Sequence, residues 1–243
     1  MSMSPVKSTK FPDELPHDIH LDLLNESLEN CKVEAVKGTY AYYHYLCDGV
    51  DDRGWGCGYR TLQTMCSWIH YHKQKNRTKS KNETTNSDKI YDKITGHVPS
   101  ISEVQHALVS MGDKEHSFMG SKEWIGSFEI SICIDYVYDL PCGIEHVPQG
   151  QLVNHIQSIN EHFQKYGSPI MMGGDNDNSS KGIFGIARCN QENCIYLLII
   201  DPHCTFIDSD PNFLVKNKWV DWRRIDSFDN YSFYNLCFPL LSS

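Results

Sequence analysis

A cysteine stands in a glycine turn, Asp51-Asp52-Arg53-Gly54-Trp55-Gly56-Cys57-Gly58-Tyr59-Arg60, and far downstream the chain returns with Asp201-Pro202-His203 at the end of an apolar run. A thiol, an imidazole and a carboxylate are the groups that nucleophilic acyl transfer needs: one attacks, one moves the proton, one orients the imidazole. This is the layout of a cysteine protease, and neither half carries that reading alone.

Elements must place the two halves. After Cys57, residues Leu62, Met65, Cys66 and Ile69 fall at i, i+3, i+4 and i+7, which predicts a helix with one apolar stripe. Glycines at 54, 56 and 58 are poor helix formers, so the helix is expected to start at or near Cys57. A thiol there meets the positive end of the macrodipole and unpaired amide hydrogens. Both favour the thiolate, the nucleophilic form. Residues 194–200, Cys-Ile-Tyr-Leu-Leu-Ile-Ile, read as a strand buried on both faces. Asp201 and His203 follow it. In extended chain i and i+2 share a face, about 6–7 Å apart at Cα, and Pro202 stiffens the spacing. Asp201 is then expected to reach the far ring nitrogen of His203, leaving the other to take a proton.

The run Tyr42-Tyr43-His44-Tyr45-x-Cys47-Asp48-Gly49-x leading into Asp51–Arg60 resembles the ubiquitin-fold modifier specific proteases, where x is any residue. So do Gly120-Ser121-Lys122-x-Trp124-Ile125-Gly126, Gly173-Gly174-Asp175 and Asp201-Pro202-His203. The matches span about residues 40 to 240, and the chain is closer to the short form of that family than to the long. Two departures are Cys204, where an aromatic residue is expected, and a long basic stretch after Tyr71. The resemblance implies a papain-like α+β fold with Cys57 as nucleophile, His203 as base and Asp201 as orienter. It also implies that Tyr45, twelve residues before the cysteine, donates to the oxyanion hole. Chemically a phenol can stand beside the backbone N–H of Cys57 as the second donor. The residues alone do not choose Tyr45 over Tyr40, Tyr42, Tyr43 or Tyr59. Gly56 and Gly58, with Trp55 beside them, are expected to line a narrow groove that admits a substrate end without side chains.

Composition bounds the rest. A chain of 243 residues with 40% apolar residues is expected to build one domain. Its ten irregularly spaced cysteines do not form the framework of a small secreted protein. The polar stretch from Met1 to Asp18 has no apolar core of a signal peptide. No segment approaches the roughly 20 apolar residues of a membrane span. We therefore expect a cytoplasmic, monomeric enzyme. Lys73 to Lys93 holds seven basic and three acidic residues, so the remainder of a chain of net charge −9 carries −13. Such an acidic body speaks against nucleic acid as a partner and favours one with a basic face. The basic segment at about 73–93 is expected to be a solvated, mobile insertion.

Helices are also expected at 101–111 and 149–166, the second through Leu152, Ile156, Ile159 and Phe163. Strands are expected at 169–172, 182–188, 194–201 and near 233–239. Residues 1–35 read as a loose arm with a short helix near Leu21 to Leu28, and 36–243 as the protease domain. Cys189, Cys194, His203 and Cys204 are soft ligands, but their spacing is a poor match for zinc, so no metal and no cofactor are expected.

Together these features predict a thiol protease that trims the precursor of a ubiquitin-fold modifier to its terminal glycine and releases the modifier from lysine side chains. The alternatives are an autophagy-type cysteine protease acting on another ubiquitin-like modifier, and an inactive modifier-binding module.

Overall fold

A computed structural model describes residues 14–25, 28, 30–79, 97–176, 179–189, 194–207 and 210–241. Seven strands form one sheet: β1 (Cys31–Ala35), β2 (Cys142–Val147), β3 (Ile170–Gly174), β4 (Ser180–Cys189), β5 (Cys194–Ile200), β6 (Val220–Arg224) and β7 (Tyr234–Pro239). Their order is β2-β7-β3-β4-β5-β6, all pairs antiparallel, and β1 joins the long strand β4 beyond the end of β3. The helices are α1 (Leu21–Asn25), α2 (Cys57–Lys79), α3 (Ile101–Ser110), α4 (Ser127–Tyr138), α5 (Ile156–Lys165) and α6 (Pro211–Lys216). The α+β expectation holds, with α2 packed on β3 and β4 and α4 on β2 and β7.

The helix does begin at Cys57, and Leu62, Met65, Cys66 and Ile69 are buried. It differs from a one-sided amphipathic helix, however, because every residue from Cys57 to Ile69 is buried. Its polar positions have partners instead of solvent. The Thr64 hydroxyl accepts the Tyr43 N–H at 3.0 Å, and the Ser67 hydroxyl accepts that of Ala41 at 2.9 Å. These bonds hold the segment 40–45 alongside the helix in extended form, where backbone groups would otherwise be buried unpaired.

At its N-terminal end α2 carries the buried guanidinium of Arg60. It bonds Asp52 at 2.7 Å and Asp48 at 2.7 Å through two nitrogens, with Gln63 at 3.0 Å. Asp52 also accepts the Leu46 N–H at 3.0 Å, and its carbonyl accepts the Gly56 N–H at 2.7 Å. One ion cluster thus folds the loop 46–56 down onto the start of the helix that bears Cys57.

Three sequence expectations change. The helix runs on through Lys79, so the first part of the expected basic insertion is helical; Lys73 donates to the Tyr138 carbonyl. Residues 80–96 lie outside the described residues. The arm expected over 1–35 includes β1, which pairs with β4 and is joined to it by a disulfide between Cys31 and Cys189. Leu15 and Ile19 are buried as well. The boundary at 35/36 therefore falls at the end of a strand of the main sheet. The helix expected at 149–166 opens as a 3-10 turn over Leu152–His155 before α5, although all four stripe residues are buried as read. The sequence reading did not assign β1, β2, β6, α4 or α6.

Replacing Arg60 by Met keeps much of the volume but strands Asp48 and Asp52 as buried charges. Breaking one side of such a cluster typically costs about 3–5 kcal/mol. The expected result is a large drop in the urea midpoint of Arg60→Met with an unchanged denaturant slope.

Candidate active site

Three segments meet at the site: Tyr45 from the extended segment, Cys57 from the first turn of α2, and Asp201 with His203 from just beyond β5. Segment and strand end are tied directly. The Tyr45 N–H donates to the Pro202 carbonyl at 2.9 Å, the Tyr42 hydroxyl to the Asp201 carbonyl at 2.5 Å, and His44 Nδ1 lies 3.0 Å from the Cys204 carbonyl.

Asp201 Oδ1 lies 2.5 Å from His203 Nδ1 and also accepts the His203 N–H at 3.1 Å. The contact therefore falls on the nitrogen nearer the backbone, where an extended chain would have offered the farther one. The chain turns after Ile200, and a side-chain-to-backbone bond across Pro202 brings the imidazole over the carboxylate. The Cys57 thiol and the His203 imidazole lie close enough for each to shift the other's ionisation; with Nδ1 taken by Asp201, the nitrogen left for the thiol is Nε2. Tyr45 meets the His203 ring edge-on at 5.1 Å, and its phenol lies close enough to the Cys57 sulfur for the ionisation of the two to be linked. Geometry thus separates Tyr45 from the other tyrosines, which the residues alone did not. Tyr40 pairs with His20, Tyr42 with Asp201, and Tyr59 with the Glu123 carbonyl.

The charges follow. Burial raises the Cys57 thiol, but the hydrogen bonds from His203 and the Ser180 N–H outweigh it and hold Cys57 below an ordinary thiol. Burial lowers the His203 imidazole, but its bonds to Asp201 and Cys57 raise it to about 9. Burial also raises the Asp201 carboxyl, and the His203 partner more than reverses this, so it stays ionised. Burial holds the Tyr45 phenol above its usual range, fully protonated and able to donate. Other thiols nearby are the reverse: burial pushes Cys47 up to about 11 and Cys66 well above its ordinary value.

A groove of about 350 Å³ opens at Cys57 between two walls: Trp55 with Trp124–Ser127, and Gly173–Asp175 with Ser179, Ser180, Phe233 and Asn235. Trp55 lines it as expected. Gly56 and Gly58 do not. A side chain on Gly56 would run into Asp52, and one on Gly58 into the Ile125 carbonyl. These glycines let the loop pack against the wall behind the groove. The motifs around Trp124 and Gly173, which had no role in the sequence reading, supply the two walls, and Trp124 Nε1 is pinned to the Gly54 carbonyl at 3.1 Å.

Several residues near the site were missed. Arg223 on β6 reaches Asp201 Oδ2 at 3.4 Å. Lys181 is buried, and its charge bears on Asp201; one step past the pair Gly182–Ile200, the register sets it opposite. The Ser180 N–H faces the sulfur. Partners across a sheet leave no local signal in the chain; only the Asp52-to-Arg60 spacing lay within a motif already read. The suggested zinc ligands do not converge. Cys189 is bonded to Cys31, and Cys194 lies at the opposite end of β5 from His203 and Cys204.

The pair is reactive when Cys57 is ionised and His203 protonated. Turnover should rise with pH through the lowered thiol value, then fall as His203 loses its proton near pH 9. His203→Ala removes the partner while burial remains, so the pH midpoint of Cys57 alkylation by iodoacetamide should move above that of a free thiol. An unmoved midpoint would dissociate the imidazole from the thiol.

A profile of peptidase family C78 matches residues 31–237. The chain is 38% identical over 227 residues to mouse Ufm1-specific protease 1, covering 93% of this chain and 94% of that protein. It is 37% identical to the probable Ufm1-specific protease 1 of Drosophila melanogaster, covering 89% and 84%. Mouse Ufm1-specific protease 2 is 34% identical across 96% of this chain, which spans 47% of that longer protein. The crystal structure of UfSP from C. elegans superposes with a TM-score of 0.75 at 29% identity, over all of this chain and 40% of that one; the fold is papain-like. With a thiol, an imidazole and a carboxylate brought together at the head of α2, the chain belongs to peptidase family C78, the cysteine proteases that include the Ufm1-specific enzymes.

Proposed function

We propose that this protease cuts after the C-terminal glycine of the ubiquitin-fold modifier Ufm1, both to mature its precursor and to release it from lysine side chains. The observation that carries the reading is the Asp201–His203 hydrogen bond set beside Cys57, whose thiol opens on a groove walled by Trp124–Gly126 and Gly173–Gly174. Relatives matched along nearly their whole length bear the name of Ufm1-specific proteases. Nothing among these residues favours an inactive binding module, since thiol, imidazole, carboxylate and phenol are all in contact.

The thiolate of Cys57 attacks the carbonyl carbon of the terminal glycine. His203 gives its proton to the departing amine, which is a peptide nitrogen in the precursor and a lysine nitrogen in a conjugate. The resulting thioester is hydrolysed by water that passes its proton to His203. Asp201 holds the ring and offsets its positive charge. The oxyanion is met by the Cys57 N–H at the helix terminus and by the O–H of the neighbouring Tyr45. Eight of the ten cysteines are thiols and the other two form the Cys31–Cys189 disulfide; we take the enzyme to work in the cytoplasm and as a monomer.

Cys57→Ser should abolish precursor cleavage and capture by a Ufm1 vinyl methyl ester while leaving the fold intact, and more than a few per cent of residual activity would place the nucleophile elsewhere. Tyr45→Phe deletes one hydroxyl and keeps the ring. The loss should fall on kcat, by about 10²–10³; a rise in KM at constant kcat would make Tyr45 a substrate contact. Cleavage of a different ubiquitin-like modifier in preference to Ufm1 would favour an autophagy-type enzyme.

A further inference from the structure

Helix α4 starts in the groove and then leaves it. Gly126 and Ser127 are wall residues, and Phe128 is the next residue along the helix. Inward, α4 packs through Ile130, Cys133, Ile134 and Tyr138, all buried. A surface helix of this kind ordinarily turns polar residues outward. This one presents Phe128, 58% exposed, then the half-buried Ile132, then Tyr136, 53% exposed. Their i, i+4, i+8 spacing lines them along one side, about 12 Å from first to last. Trp124, 52% exposed, sits at the groove end of the same strip. Asp135 and Asp139, both exposed, fringe its far end. An apolar strip with a polar border, joined to a substrate groove, is the form of a docking surface.

Resting on the reading that the groove takes the modifier's C-terminal tail, we infer that the outer face of α4, Phe128–Ile132–Tyr136, seats the folded body of the ubiquitin-fold modifier through an apolar patch bordered by basic residues. The groove's walls explain which side the body takes. They run from Cys57 toward α4 and β7, and His203 is not among them. The part of the substrate that is constant, the modifier, needs such walls. The leaving part varies between a precursor tail and a lysine side chain and cannot use a fixed pocket. The tail therefore runs out toward α4, and the body follows it onto the strip. Aspartates at the strip's end call for basic groups opposite, as the acidic body of the chain suggests. Contacts this far from sulfur supply binding energy that a short peptide lacks.

The test compares Phe128→Glu/Tyr136→Glu with wild type on two substrates, whole Ufm1 precursor and a short peptide of its C-terminus. Both positions are exposed, so the melting temperature should not change. A control, Leu21→Glu, alters an equally exposed apolar residue on α1, which packs by β6 at the opposite edge of the sheet. The expected result is a rise in KM for the precursor of about tenfold or more with kcat unchanged, peptide cleavage within about twofold of wild type, and no effect of the control. An unchanged precursor KM would overturn the docking face while leaving the protease reading intact. Parallel loss on precursor and peptide would overturn it too, by tracing the effect to the groove. A wild-type dimer that the double variant dissolves would assign the strip to a second copy of the chain instead. If wild-type enzyme cleaves peptide and precursor equally well, the modifier-specific reading itself fails, and the inference with it.

Discussion

The site depends on one clamped segment. Residues 40–45 are held on one side by hydroxyls of α2, Thr64 and Ser67. On the other side they bond the carbonyls of Asp201, Pro202 and Cys204 through Tyr42, Tyr45 and His44. These bonds are buried, so each lost partner would leave an unsatisfied polar group in a dry interior. The segment therefore sets the distance between the start of α2 and the end of β5. A shift of either would pull Cys57 from His203 and Tyr45 from both.

The charged cluster beneath the nucleophile loop serves the same end. Arg60 is wholly buried between Asp48 and Asp52. Burial alone would raise the Asp48 carboxyl, yet its bonds to Arg60 hold it below the usual range. Such a cluster adds little net stability compared with an apolar packing of equal volume. What it fixes is shape: Asp52 receives the backbone of Leu46 through its carboxylate and of Gly56 through its carbonyl. Gly56 must be glycine because Asp52 occupies the place of its side chain. The loop's glycines answer to this packing more than to the substrate.

Environment, and not residue type, separates Cys57 from its neighbouring thiols. Cys47, Cys57 and Cys66 are all buried thiols close in sequence. Cys47 and Cys66 are raised because desolvation dominates. Cys57 is also desolvated, but it alone of the three has an imidazole beside its sulfur, and that ring with the Ser180 amide and the Tyr45 phenol outweighs the desolvation. The cost of burying the thiolate is met by groups that favour the charged form. That balance also keeps His203 charged at neutral pH.

The sequence by itself determined what is local or carried in a motif. The helix starting at Cys57, the strand ending at Asp201, the Asp-Pro-His spacing and the apolar stripe of α5 all arise from neighbours within a few residues, where periodicity and backbone restriction act. Tyr45 was reachable only through family resemblance, because a phenol in a cluster of tyrosines carries no local mark of its partner. The tertiary structure decided everything set by sheet register and chain crossing. It placed β1 in the sheet, where the sequence suggested a loose arm. It carried α2 through residues read as a mobile insertion, and it put Nδ1 rather than the far nitrogen against Asp201. It also gave Trp124 and the Gly173 segment their places as groove walls and brought Arg223 and Lys181 to the Asp201 carboxylate and Ser180 to the Cys57 sulfur. These partners lie tens to more than a hundred residues apart in the chain. Their pairing is fixed by burial and by the antiparallel register, which no short window of sequence contains.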